Sequence, residues 1–231
     1  MHREGWATQD AIGEGLALGG LVAVEWGVPV AEPATRPTSI RLLLLGAPGA
    51  GKGTQGTRLA ERFAARHVST GDLLRAQVSE GTDLGLQASP YMDRGDLVPD
   101  ELVLAMVLED VLGADSPQSY VLDGFPRTVA QARAAYEQAV ATDRVLDAVV
   151  CLDIGHEHLI ERLEQRGRET GRSDDNEQTV RHRIEEYEQK TLPLLAYYDG
   201  RGILVRVDAM GDVDEVSGRV LAALEELPGR D

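Results

Sequence analysis

The stretch GAPGAGKGTQ, residues 46–55, follows directly on the aliphatic run IRLLLL, residues 40–45, and precedes a segment whose apolar spacing predicts a helix over residues 53–66. Glycines at 46, 49 and 51 allow successive backbone N–H groups to turn inward onto one phosphate, and the positive end of the following helix adds to that field. Lys52 brings a point charge to the outer phosphates. At one place the stretch departs from the usual phosphate loop: Gly53 follows the lysine, and the hydroxyl arrives a residue late, at Thr54. Strand, glycine-rich turn, lysine and helix together predict a nucleotide-binding α/β fold, in which ligands lie outside the carboxyl ends of the strands.

Working outward, apolar runs without polar alternation recur at residues 120–122, 148–152 and 203–207, with a shorter one at 67–69. Such runs predict parallel strands covered on both faces. With the amphipathic segments between them they give an α/β, P-loop three-layer fold: a five-stranded parallel sheet with helices on both faces. Between the second and third strands the chain is too long for one crossover helix. Gly81, Gly85 and Gly95 mark turns there, and Val98-Pro99-Asp100-Glu101 reads as a helix start, so a small helical subdomain is expected over the sheet edge. Pro90, inside that segment, is expected to kink or shorten its helix. Residues 1–39 hold both tryptophans and PVAEPATRPTS without any sustained period, and are expected to be a poorly ordered extension ahead of one catalytic unit, 40–231.

The chain is strongly acidic, with 23 basic against 39 acidic residues and a formal charge of −16. That balance repels nucleic acid and anionic membrane surfaces, so neither is expected as a partner, and a phosphate site must be a local basic pocket. Nearly all positive charge is arginine, since Lys52 and Lys190 are the only lysines. A single cysteine, Cys151, excludes an internal disulfide and a thiolate zinc cluster, and its setting AVVCLDI predicts a buried structural thiol rather than a nucleophile. His156 and His158 lack companions at ligand spacing, so no metal role is expected for them.

Three further stretches carry chemistry. In STGDLLR, residues 69–75, Ser69 or Thr70 can cap a helix with Asp72 in its first turn; Arg75 is either an ordinary solvated arginine or a residue facing back to the strand ends. In LDGFPRTVAQ, residues 122–131, Asp123 ends an aliphatic strand, where it can order magnesium-bound water or the ion itself beside a phosphate loop. Gly124 and Pro126 then force a turn that brings out Arg127 ahead of a helix over residues 128–141; the plainer alternative is a capped turn. In RLEQRGRETGRSDDNEQTVRHRI, residues 162–184, a polar loop separates Arg166, Arg172 and Arg183, and it is either a solvated loop or a lid folding arginines over the mouth.

Taken in this order and spacing, GAPGAGKGTQ, STGDLLR, LDGFPRTVAQ and GRETGRSDD resemble the adenylate kinase family of nucleoside monophosphate kinases, over about residues 40–227. The resemblance implies reversible transfer from ATP to AMP giving two ADP, with magnesium. It implies that Gly49, Ala50, Gly51, Lys52, Gly53 and Thr54 cradle the ATP phosphates. Arg75 and Arg127 are implied as the clamp on the AMP phosphate. Thr70 and Gln131 are implied on the adenine side, with Asp96, Leu97, Val98 and Gly124 completing the acceptor site. Arg166, Arg172 and Arg183 match the arginines that grip the transferring phosphoryl group; Arg166 belongs also to the ATP side, Arg172 and Arg183 also to the AMP side. Asp123 matches the acid that holds magnesium through water, with no direct metal ligand.

Residues 69–98 are implied as the AMP-binding segment and residues 166–176 as a lid. Longer relatives insert there a segment often bearing four cysteines for structural zinc; the shortness of this lid implies no zinc and a monomer. A cytoplasmic location is expected because a single cysteine fits a reducing compartment. The uridylate–cytidylate branch has alanine in place of Thr70 and an asparagine in its DGFPRN motif, which favours AMP as acceptor here. A kinase of another monophosphate, or a nucleotide-binding regulator that closes without turnover, stands as the alternative.

Overall fold

A computed structural model of the chain describes residues 39–112, 118–170 and 177–227. The expected extension, apart from Ser39, therefore lies outside the described residues, as does Arg172 of the expected lid. Among the described residues, the strands β1 (Arg41–Leu45), β2 (Arg66–Ser69), β3 (Tyr120–Asp123), β4 (Ala148–Asp153) and β5 (Leu204–Asp208) form one sheet in the order β2-β3-β1-β4-β5. Every pairing is parallel. The helices are α1 (Lys52–Phe63), α2 (Thr70–Glu80), α3 (Asp83–Arg94), α4 (Asp100–Leu112), α5 (Val129–Ala141), α6 (His156–Thr170), α7 (Glu177–Glu186), α8 (Pro193–Asp199) and α9 (Val213–Glu225), with a π-helical turn at Tyr187–Thr191.

The continuous leucines of β1 are explained by two cores. Leu42 and Leu44 pack on one face with Leu59 of α1, Leu163 of α6, Ile184 of α7 and Val216 and Val220 of α9. Leu43 and Leu45 pack on the other with Leu74, Ala88, Val107, Ala132 and Leu194 from α2, α3, α4, α5 and α8. All four leucines are buried. Because side chains alternate along a strand, only a strand covered on both sides asks for an apolar residue at every position. Each such burial contributes roughly 2 kcal/mol over leaving the side chain in water.

Two sequence expectations need correction. The first helix ends at Phe63 rather than at residue 66: Ala64 takes a left-handed conformation with φ 50, and Arg66 already belongs to β2, its N–H donating to the Ser119 carbonyl at 3.0 Å. Pro90 does not shorten its helix, since α3 runs through it from Asp83 to Arg94. The carbonyl that Pro90 leaves without an N–H is that of Leu86, a residue 66% exposed, so the lost hydrogen bond falls on the solvent side of the helix, where it costs least.

The α2 and α3 helices form a tight hairpin over the sheet edge. Gly81 ends α2 with φ +66, and Thr82 caps α3 by accepting from the Gly85 N–H at 3.1 Å. Gly85 itself lies against the α2 backbone: a Cβ there would stand 2.1 Å from the Gln77 carbonyl oxygen. No helix among the described residues is long and apolar enough to cross a membrane.

Candidate active site

Sheet register explains why motifs far apart in sequence meet. Asp123 of β3 pairs with Ser69 on one side and with Leu44 on the other, so Ser69, Asp123 and Leu44 form one row at the carboxyl edge. Adjacent strands are about 4.8 Å apart. That row delivers STGDLLR, LDGFPRTVAQ and GAPGAGKGTQ to a single mouth, which opens as a cleft of about 620 Å³.

The glycine-rich loop is fixed before α1 begins. The Ala50 N–H donates to the Ala47 carbonyl at 3.1 Å, and Gly51, the residue before the helix, holds φ 96. An L-residue resists that conformation, whereas a Cβ at Gly51 would meet open space, so it is the backbone angle and not crowding that asks for glycine there. Gly53 and Thr54 lie exposed in the first turn. Lys52 Nζ donates to the carbonyls of Gly46 at 2.8 Å and Ala47 at 3.0 Å, which holds the ammonium within the loop. Burial pushes its pKa down to about 8; the Asp123 carboxylate pulls the other way, while Arg127, Arg183 and Arg166 add to the lowering. Those four cations therefore share one electrostatic environment. Arg75, Arg127, Arg166 and Arg183 all line the cleft, as do Gly49, Ala50, Gly51, Lys52, Thr54 and Asp123.

Beside it lies a smaller cavity of about 60 Å³. Its walls include Thr70, Arg75, Asp96, Leu97, Val98, Gly124, Arg127, Gln131 and Arg183, which are all the acceptor-side residues expected from the sequence apart from Arg172. Thr70 is buried and its hydroxyl donates to the Asp123 carbonyl at 3.2 Å, tying the start of α2 to the end of β3. Ser69 caps α2, accepting from the Asp72 N–H at 3.3 Å. Gln131 is buried with both ends of its amide engaged: Oε1 accepts from the Arg127 N–H at 2.6 Å and Nε2 donates to Asp100 at 2.5 Å. Arg127 Nε donates to the Gly124 carbonyl at 2.8 Å, which fixes the fork across the turn. Arg75 pairs with Asp72 at 2.5 Å, one helical turn away and 61% exposed. A pair so exposed is worth about 1 kcal/mol or less, so it yields readily to a phosphate dianion.

Arg166 emerges from α6 rather than from a loop, and Arg183 from α7. Sequence reasoning missed several wall residues. Arg162 lines the cleft, its guanidinium donating to the carbonyls of Ala209 at 3.1 Å and Gly211 at 3.3 Å. Its signal was present, since it precedes Arg166 by four residues and so shares a helix face. Gly211, Asp212 and Val213 close the same side, and nothing in their local sequence marked them.

Asp123 is buried at the strand end, faces Lys52 electrostatically and lies 3.8 Å from where a Gly53 Cβ would stand. A carboxylate over an open loop beside a lysine is a fitting donor set for a hydrated divalent cation. Elsewhere among the described residues no group of three or more His, Cys, Asp or Glu side chains is placed to hold a metal. Cys151 is fully buried and donates to Asp153 at 3.3 Å; burial, with help from Asp153, pushes its thiol up to about 12, which makes it inert.

The family model described as adenylate kinase matches residues 44–203. Over 186 residues, 80% of this chain and the whole of the relative, the sequence is 47% identical to an adenylate kinase of Stenotrophomonas maltophilia (strain K279a). It is 50% identical over 186 residues, 99% of the relative, to one of Xanthomonas euvesicatoria pv. vesicatoria (strain 85-10), and 47% identical over 98% of one from Thermobifida fusca (strain YX).

Proposed function

The chain belongs to the adenylate kinase family and catalyses ATP + AMP to two ADP, and we propose that the two adjoining cavities divide that reaction between donor and acceptor. The observation that carries this division is the pair of cavities itself, joined along Arg75, Arg127 and Arg183, which line both. Phosphoryl transfer asks little covalent help of a protein; it asks that two anions be brought in line and their charge be neutralised. The amides of residues 49–54 and Lys52 hold the ATP phosphates. Arg75 and Arg127 clamp the AMP phosphate, where bidentate guanidinium groups suit a dianion. Arg166 and Arg183, with Arg172, meet the charge that spreads over the transferring group. Thr70, Gln131, Leu97 and Val98 shape the acceptor cavity around the base, with Asp96 and Gly124 at its rim. Arg162 and Gly211 to Val213 wall the donor side.

Magnesium accompanies ATP in this family. Asp123 is the residue that would hold it, through water, and the ion when bound neutralises phosphate charge. The rest of the reading is a cytoplasmic monomer made of one catalytic unit, 40–231, with the AMP-binding segment at 69–98, a short lid at 166–176 and no structural zinc. It is supported by the lone Cys151, buried in β4, and by a formal charge of −16, which disfavours nucleic acid and membrane partners.

A coupled assay offering AMP, CMP, UMP and GMP with ATP and magnesium tests the acceptor. Turnover is expected to be highest with AMP; faster turnover with CMP or UMP would assign the chain to the pyrimidine branch.

Lys52 also sets a pH dependence. Its folded-state pKa is lowered to about 8, so the ammonium is intact below that value and lost above it. The Michaelis constant for ATP is expected to be flat at lower pH and to rise about tenfold by about pH 9, as one proton requires. A constant that stays flat through this range would remove the lysine charge from donor binding.

A further inference from the structure

One face of α7 meets the loop that follows α3. Thr179, His182 and Arg183 stand at i, i+3 and i+4 and so project from one side of the helix. Against them lies Gly95, with φ +78; a Cβ there would fall 2.8 Å from Thr179 Cγ2 and 2.9 Å from Arg183 Cγ, closer than side chains tolerate. Only glycine lets the loop come so near, and the stem of Arg183 rests on it. The next residue, Asp96, spans the junction: its Oδ1 accepts from His182 Nε2 at 2.7 Å and its Oδ2 from Arg94 Nε at 2.8 Å. Those two hydrogen bonds, Arg94 first, hold the Asp96 carboxyl below its ordinary range, so it is an acceptor and Nε2 is the donor.

His182 lines neither cavity, whereas its neighbour Arg183 lines both. We infer that Asp96 and His182 form a positioning pair that seats Arg183 over the acceptor cavity, so that docking the AMP-binding segment and placing the transfer arginine are one event. Residues 86 apart in sequence are thereby linked, and neither needs to touch the reacting atoms. The inference rests on the role proposed above for Arg183.

Steady-state kinetics of the full chain, with ATP and AMP varied separately, tests it. His182→Ala is expected to raise the AMP Michaelis constant and lower kcat on the order of fivefold each, with the ATP constant within about twofold, the scale of one partly exposed charge-assisted hydrogen bond. His182→Gln, whose amide nitrogen reaches the place of Nε2, restores both, while His182→Asn does not. In an Asp96→Ala background, His182→Ala is expected to change nothing further. The inference is overturned if His182→Ala leaves AMP kinetics unchanged, moves both Michaelis constants together, is not rescued by Gln, or costs as much in the Asp96→Ala background. Wild-type chain without AMP-dependent turnover would instead remove the functional assignment beneath it.

Discussion

Replacing Lys52 by Met is expected to give a folded protein whose kcat falls on the order of 10²- to 10³-fold, about 3–4 kcal/mol of transition-state stabilisation, as when one preorganised charge is removed from a site of developing negative charge. The side chain emerges at the start of α1 and points its ammonium back into the loop, onto the carbonyls of Gly46 and Ala47. Methionine keeps most of the aliphatic stem. It also relieves the burial of a cation, the largest cause of the lowered pKa, so the melting temperature is expected to hold or rise slightly. Coupled-assay kinetics and a melting curve on the same preparation separate the two effects. A kcat within about threefold of wild type would refute the role given to the lysine.

Gly85→Ala is expected to be the most damaging single methyl group that the acceptor side can receive. The added Cβ would lie 2.1 Å from the Gln77 carbonyl oxygen and 2.6 Å from the Val78 nitrogen, both backbone atoms of α2 that no side-chain rotation can move away. Overpacking of this kind costs roughly 3 kcal/mol. At about 2–4 °C per kcal/mol for a chain of this size, the melting temperature should fall by roughly 6–12 °C. The hairpin also carries Leu74, Arg75 and Met92 to the acceptor cavity, so AMP affinity should fall with it. Gly218→Ala in α9 is the control, because a Cβ there meets nothing within 4 Å. There the same change replaces a helical glycine by the best helix former and should stabilise by about 1 kcal/mol. Equal melting temperatures for the two variants would sink the packing argument.

Much of the donor side was legible in the sequence because its determinants are local. A strand, GAPGAGK and a helix start lie within fifteen residues, and period-two burial on both faces wrote β1 as unbroken leucine. The acceptor side was legible only through motif resemblance; its walls are assembled by the ladder that sets Asp123 between Ser69 and Leu44, and register is not printed in any one segment. Arg162 could have been found from its spacing to Arg166, but its bonds to Ala209 and Gly211 come from a chain segment more than forty residues on. Asp96 and His182 gave no local sign of each other. Pro90 does not shorten α3 because the hydrogen bond it removes lies toward the exposed Leu86, a placement that one segment of sequence does not print, and the end of α1 is hidden because Ala64 accepts a conformation that its side chain does not advertise.

The row Ser69–Asp123–Leu44 also acts as a ruler. Along a strand the backbone advances about 3.3 Å per residue, and reacting atoms in a near-attack pair stand about 3–3.5 Å apart. The distance between the donor loop and the acceptor turn is therefore graduated in steps as large as the reaction distance itself. A slip of one residue between β1 and β3 would not detune the site but move it a whole division out of range. Fine adjustment is left to the long, jointed arginines, which can close a fraction of a step that the sheet cannot.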